Sequence, residues 1–348
     1  IGDAVGPDTQ ISTASLSKWP AAYGAMLLVQ QGRIELDAPV SRYLTRWQLP
    51  PSDFDNEAVT VRRLLSHTAG LVDGLGFGDY AAEESLPTLE ESLARARGSD
   101  DEDVRIVVGR EPGAEWDYSG GGYLILELLV EEVSGLDFDE YMQRAVFDPL
   151  DMHRATYDYL GAQTDTAGSY DRQGNPAPVY RYAARAATAL AATAGDLTRF
   201  AQAQLREAAP LSQEMVVAMR EPHGHQTGLA IWGLGTMLYS PTGTADYVFG
   251  HDGANDPSIN SSVRVNPATG DAVVALSTGP AYLASMIGYQ WGIWQTGYPD
   301  FIQFDRAIES AKRPMGIGIL LIGAITIVWL VRVRGRHARP AGVGQTTD

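Results

Sequence analysis

The sequence predicts an α+β fold followed by one C-terminal transmembrane helix. Three observations predict it. Helical patterns fill the first two thirds of the chain; short segments rich in Val, Ile, Leu and Tyr follow Gly228, divided by turn signals; and an uncharged apolar run, Met315 to Val331, lies near the end. Helices first, then an antiparallel run, then a closing helix is the order of an α+β domain or a mixed sandwich rather than a doubly wound parallel sheet.

Residues 15–31 read as a helix, because Leu16, Trp19, Tyr23, Met26 and Leu27 recur at three and four and Gly32 supplies a stop. Pro20 interrupts it early and should cost one backbone hydrogen bond. Residues 59–66 read as a short helix running into the loop from His67 to Gly70. Residues 72–80, Gly-rich and acidic, read as an exposed loop. Residues 121–134 form a strongly amphipathic helix ended by Gly135, and 137–147 another. Residues 161–185 are polar and irregular, and 195–206 and 211–219 are helical again. Strands are predicted at 229–239, 245–250, 259–266 and 271–278, with turns such as Pro241-Thr242-Gly243 between them, and an aromatic-rich helix at 281–297.

The apolar run 315–331 covers roughly 25 Å at about 1.5 Å per residue, the short end of a bilayer span. Pro314 suits the first turn of its helix, and Trp329 sits near one end, where interfacial aromatics are favoured. Arg332, Arg334, Arg336 and Arg339 follow it. The positive-inside rule then places the C-terminus in the cytoplasm and the preceding domain outside. The plain alternative is a buried core helix. The predicted organisation is a domain over 1–300, a linker over 301–314, the transmembrane helix over 315–331 and a basic cytoplasmic tail over 332–348.

The formal charge is −17, and since residues 312–348 hold six basic side chains against Asp348 alone, the rest of the chain carries −22. An acidic body repels phosphate backbones, so nucleic acid is excluded as a partner. The absence of cysteine excludes a disulfide framework, a thiolate zinc site and a cysteine nucleophile. The chain starts at Ile1 without a signal-peptide pattern, which reads as a processed product or a fragment.

Three short motifs can carry chemistry. In Ser15-Leu16-Ser17-Lys18 the three-residue spacing places Ser15 and Lys18 one helical turn apart on one face. Serine is a poor nucleophile at pH 7 and needs an adjacent base; a lysine serves if its surroundings favour the neutral form, and a helix N-terminus offers free N–H groups to an oxyanion. On an exposed helix the same motif means nothing. In Tyr118-Ser119-Gly120 a tyrosine precedes a helix on a Gly-rich loop. Beside a lysine cation its phenol can ionise below the usual pKa near 10; the alternative is a core tyrosine. His251-Asp252-Gly253 follows a strand, and its glycine would let substrate approach the strand edge; the alternative is a plain turn.

Taken together, the motifs resemble the β-lactamase-related serine hydrolases: the class C-like group with its D-Ala-D-Ala carboxypeptidases, D-aminopeptidases and esterases. The resemblance spans about residues 2–297. Thr13-Ala14-Ser15-Leu16-Ser17-Lys18 is similar to the nucleophile motif of that group, and Leu64-Leu65-Ser66-His67-Thr68-Ala69-Gly70-Leu71 to its LLxHTxGL signature; Leu36 to Val40 and Gly250 to Gly253 fit as well. The resemblance implies an antiparallel sheet flanked by helices with a helical subdomain. It also implies an acyl-enzyme on Ser15, with Lys18 and Tyr118 sharing general-base and general-acid duty. Gly120, His251, Asp252 and Gly253 would line the substrate cleft, with the backbone N–H groups of Ser15 and Ala254 as oxyanion hole. No metal or cofactor is implied, and the partner is a small-molecule or peptide substrate. His67 reads as a hydrogen-bonded loop histidine rather than a base.

The sequence departs from the pattern in three places. Gly120 stands where many relatives have a substrate-binding Asn. His251, mostly neutral at pH 7, stands where many have a carboxylate-attracting Lys; both changes favour an esterase or a differently contacted peptidase over efficient penicillin hydrolysis. Only fourteen residues precede Ser15, where the family has two strands and a helix, and Gly2-Asp3-Ala4 matches the end of that hairpin. The resemblance thus implies a truncated form of a longer precursor, with one sheet edge short of a partner.

Rival motifs are weak. Gly74-Leu75-Gly76-Phe77-Gly78 lacks the preceding strand of a dinucleotide fingerprint. His223 and His225 form an H-x-H pair in a loop, a weak metal signal by itself. Asn260-Ser261-Ser262 is a formal glycosylation sequon. A membrane-tethered sensor or binding protein of the same fold, weak or inactive in catalysis, is the non-enzymatic rival; joint retention of Ser15, Lys18 and Tyr118 speaks against it.

Overall fold

The computed structural model describes residues 5–73, 78–98, 103–158, 165–255, 259–280 and 282–337. Gly2-Asp3-Ala4, the glycine run at 74–77, the start of the irregular stretch at 161–164 and the basic tail from 338 onward lie outside the described residues. The chain divides into a body, Ile1–Asp300, and a C-terminal unit, Phe301–Asp348.

Helix α1 (Lys18–Gln30) forms the centre of the body and is buried on every side from Lys18 to Leu28. A helix apolar all round belongs inside a domain, and each large side chain that it buries contributes roughly 1.5–3 kcal/mol. Trp19 packs edge-on against Phe200 and Phe249, with ring centres 5.0 and 5.8 Å apart. The helix is entered through a 3₁₀ turn, Ala14–Ser17. Pro20 therefore falls in the first α-turn, where the N–H it lacks would have no intrahelical partner, and the anticipated loss of a hydrogen bond does not arise.

Further along the body come α2 (Val61–Leu65), α3 (Gly121–Ser134), the single turn α4 (Arg185–Thr188) and α5 (Ala194–Ala203), closed by α6 (Leu283–Thr296). Residues 137–147 are an α-turn, Phe138–Met142, continued by a π-turn, Gln143–Phe147.

The main sheet is an antiparallel meander of six strands: β1 (Gly224–Gln226), β2 (Leu229–Trp232), β3 (Met237–Pro241), β4 (Tyr247–Asn255), β5 (Ile259–Asn266) and β6 (Asp271–Thr278). The run predicted as one strand at 229–239 is two, because Gly233-Leu234-Gly235 turns the chain. The strand predicted to stop at residue 250 continues to Asn255, so His251-Asp252-Gly253 lies inside β4 rather than after it. Side chains alternate across the sheet. In β5, Val263 and Val265 enter the core with α1, while Ser262 and Arg264 face α6, whose Gly288 leaves no room for a Cβ against them.

The C-terminal unit is built on one helix, α7 (Phe301–His337), with Pro314 inside it rather than in its first turn, so 301–314 is helical too. Ser310–Ile327 is long and apolar enough to cross a membrane, and Ile317, Leu320, Leu321, Ile322, Ile325 and Ile327 are exposed along it.

Candidate active site

The segment that carries Ser15 is pinned from three sides. Thr13 donates its N–H and its hydroxyl to the Leu190 carbonyl, both at 2.9 Å. The Ser261 hydroxyl donates to the Thr13 carbonyl at 2.6 Å. Ser17 is wholly internal: its hydroxyl donates to the Ala14 carbonyl at 2.5 Å and accepts from the Leu190 N–H at 2.9 Å. These bonds hold Ala14 in the left-handed region, at φ +50°, a conformation that a non-glycine residue adopts only where its surroundings enforce it. The result is a sharp turn that leaves Ser15 half-exposed above the first turn of α1.

Lys18 is 1% exposed. Its Nζ donates to the Ala187 carbonyl at 2.9 Å and stands 3.5 Å from Ser15 Oγ. Burial lowers its pKa from 10.5 to about 7, partly opposed by the negative charge of Asp73. A lysine poised near 7 is a competent proton acceptor for a serine at physiological pH.

Tyr118 is hydrogen-bonded to the Ser15 side chain, yet burial moves its hydroxyl above the usual phenol range. The expectation of an easily formed phenolate is therefore not met. The Lys18 Nζ lies 4.8 Å from the centre of the Tyr118 ring, over its face, where the cation contacts the π-system instead of stabilising phenolate oxygen. Of the two partners, Lys18 is the one prepared to take a proton and Tyr118 the one that keeps its own.

The loop bearing Tyr118 is anchored by two residues. Asp73, 3% exposed, accepts from the Ser119 hydroxyl and from the Gly121 N–H, each at 2.6 Å, at the positive end of α3. His67 Nδ1 accepts from the Ser119 N–H at 3.1 Å, and its own carbonyl accepts from the Asp117 N–H at 2.8 Å. Burial and the nearby Lys18 and His251 charges push His67 well below 6.5, so it is neutral and structural, as the sequence reading had it. Asp73 was missed: it falls in the stretch read as an exposed acidic loop. Gly120, expected beside substrate, is buried as the N-cap of α3, its carbonyl accepting from the Tyr123 and Leu124 N–H groups.

The third motif is divided by the strand's own alternation. His251 is fully buried against Trp232, ring centres 5.3 Å apart. Burial, with the Lys18 charge second, lowers its pKa to about 3. Its Nδ1 donates to the Asp252 carbonyl at 2.6 Å, which leaves Nε2 as an acceptor; this buried atom has no partner among the described residues. Asp252 points to the opposite face. It pairs with Arg264 at 3.1 Å and accepts from the Tyr239 and Ser262 hydroxyls at 2.9 and 2.6 Å, and Arg264 also holds Asp300 at 2.6 Å. Asp252 thus ties Tyr239, Ser262 and Arg264 together on the sheet face turned to α6 and is not a cleft residue, because period-two alternation sends it away from His251. Gly253 makes room for protein rather than substrate. A Cβ there would stand 2.1 Å from the Thr13 carbonyl oxygen and 2.9 Å from the Leu16 nitrogen, so only glycine lets β4 close on the nucleophile turn. Its carbonyl accepts from the Asn260 amide at 2.8 Å. Asn260 itself is 2% exposed, which closes the sequon to modification in the folded protein. Ala254, next along β4, is exposed. Strand β3 pairs with β4 only from Tyr247 to Gly250, so among the described residues 251–255 have no strand partner on that side, although 251–253 are buried.

A serine and a buried lysine on one helical turn, a hydroxyl-bonded tyrosine and a strand end without a partner strand form one constellation. A family model described as Beta-lactamase matches residues 2–296. The chain belongs to the beta-lactamase family. Within it, Penicillin-binding protein 4 of Amycolatopsis lactamdurans is 28% identical over 302 residues, 80% of this chain and 74% of that one. Shorter matches, to Penicillin-binding protein 4* of Bacillus subtilis and protein flp of Staphylococcus aureus, cover 29% and 31% of those proteins, so the chain spans under a third of their length. The octameric penicillin-binding protein homologue from Pyrococcus abyssi shares the fold at 23% identity, with a TM-score of 0.68 over 85% of this chain and 68% of that one. A D-amino acid amidase from Ochrobactrum anthropi SV3 does so at 23% identity, with a TM-score of 0.61 over 78% and 77%. This beta-lactamase family member is a serine hydrolase by descent.

Proposed function

We propose that this protein is a membrane-anchored amidase or esterase that acylates on Ser15, with Lys18 as the base. The observation that carries the reading is the buried Lys18 amino group, brought by burial to about 7 so that its neutral form is available, 3.5 Å from the Ser15 hydroxyl. Ser15 Oγ attacks the substrate carbonyl carbon and its proton passes to Lys18 Nζ. The N–H groups of Ser15 and Ala254 receive the oxyanion, a role supported by the seating of Gly253 on the nucleophile turn. The carbon–nitrogen or carbon–oxygen bond then breaks, and the leaving group takes the Lys18 proton through the neutral Tyr118 hydroxyl. Water repeats the sequence in reverse, with Lys18 again as base, and releases the acid.

The substrate is an uncharged or cationic amide or ester, such as a D-amino-acid amide, rather than a penicillin. His251, buried and held neutral, offers no cation to a substrate carboxylate. Gly120, turned into the helix cap, offers no amide. The reading agrees with the D-amino acid amidase among the solved relatives. We place the domain outside the membrane, tethered through Ser310–Ile327, on the basic residues that follow that span. The test is a comparison of kcat/KM for D-phenylalanine amide, a short p-nitrophenyl ester and nitrocefin. The account expects one of the first two to exceed nitrocefin at least tenfold; rapid nitrocefin turnover would refute the substrate assignment.

A further inference from the structure

Glu127 is a carboxylate in the middle of α3, 1% exposed, and the acylation chemistry does not touch it. It closes on α4 through both oxygens. Oε1 accepts from Arg185 Nε at 2.8 Å and Oε2 from the Ala186 N–H at 3.0 Å. Arg185 is further held by Glu131 at 2.7 Å and by Asp137 at 3.0 Å. The next residue, Ala187, supplies the carbonyl that accepts from Lys18 Nζ. One unbroken path of hydrogen bonds and peptide links thus runs from Glu127 to Lys18.

We propose that Glu127 is a positioning residue for the base: by fixing the Ala186 amide it sets the place of the Ala187 carbonyl, and so aims Lys18 Nζ at Ser15. The inference rests on Lys18 being the base of the proposed function. A charged donor needs an oriented acceptor, and a short helix such as α4 has little internal support of its own. A surface ion pair could be exchanged at small cost, but here both oxygens accept from donors, so a glutamine, with one oxygen and one NH2, must set a donor against either Arg185 Nε or the Ala186 N–H.

Glu127→Gln tests this with the full chain and a fluorophosphonate probe, read as the rate of adduct formation against pH. Besides Ala187, Lys18 faces Ser15, Tyr118, Tyr123, His67, His251 and, through its charge, Asp73; the substitution leaves all of them in place. The expected result is labelling slowed at least about tenfold at pH 8, with the acid limb moved to lower pH, because an ammonium deprived of its carbonyl acceptor loses its proton more readily. Asp137→Asn, which weakens Arg185's outer contact and keeps a capping oxygen, is expected to label within twofold of the parent. Folded Glu127→Gln labelling at the parent rate, or slowly with an unmoved acid limb, overturns the proposal. If Glu127→Gln does not fold, Arg185→Gln reads the same clamp from its half-buried side, and a parental rate and acid limb there overturns it equally. Failure of the parent chain itself to label at Ser15 would instead be a failure of the proposed function.

Discussion

Lys18→Met is expected to abolish acylation of Ser15 and, at the same time, to make the protein more stable. The first effect follows from the loss of the group beside Ser15 that is prepared to accept a proton; losing such a base lowers the rate by about 10³-fold or more. Lys18→Arg should not rescue it, because a guanidinium stays charged. The second effect follows from the burial that makes Lys18 useful. A fall from 10.5 to about 7 corresponds to roughly 5 kcal/mol of burial cost on the charged form. The unfolded chain binds the lysine proton up to its ordinary pKa, while the folded chain releases it at about 7. Between those values the unfolded state holds more protons, so stability rises with pH through that window. At and below about pH 7 the full cost is present. Methionine removes it, offset by about 1–2 kcal/mol for the Ala187 carbonyl left without its donor. Thermal unfolding should therefore show Lys18→Met above the parent at pH 6, with the gap closing toward pH 10. In the parent, Ser15 labelling should climb about tenfold per unit below pH 7 and level off above it. A flat pH profile, or a mutant less stable at pH 6, contradicts this assignment of the base.

The second large effect is expected at Asp73. Asp73→Ala leaves the Ser119 hydroxyl proton without its acceptor and the Gly121 N–H unpaired in the core, where each bond to a carboxylate is worth about 1.5–3 kcal/mol. It also removes an anion from the N-terminus of α3. Denaturant unfolding should show a loss of about 3–5 kcal/mol. The surviving folded fraction should label slowly, since the Tyr118 loop loses its anchor. A loss under about 1 kcal/mol would mean that the loop is held by His67 alone.

Of the candidate constellation, the Ser15–Lys18 pair was legible locally, and the place of Tyr118 beside it came from the family resemblance. Ser15 and Lys18 share one turn, and Tyr118 opens a helix whose bounds, 121–134, the periodicity located to the residue. What was not legible depends on depth and on distant contacts. Asp73 looked solvated because its sequence neighbours are Gly-rich and acidic; its burial comes from α3, some fifty residues on. The resemblance implied that Lys18 is near Tyr118, but not that its Nζ lies over the ring face with the phenol desolvated. The misreading of Asp252 has a simpler origin. Gly250 and Gly253 looked like the end of a strand, yet β4 runs through both, and once it does, alternation alone separates His251 from Asp252. Gly253 is there for the nucleophile turn, a contact between residues 13 and 253 that no local pattern records.

The central claim is that Ser15 is an activated nucleophile. Its most direct test is the intact mass of the chain and of Ser15→Ala after incubation with a fluorophosphonate. The account predicts one adduct on the parent chain and none on the mutant. An equal adduct on both, or none on a parent chain shown to be folded, would contradict it.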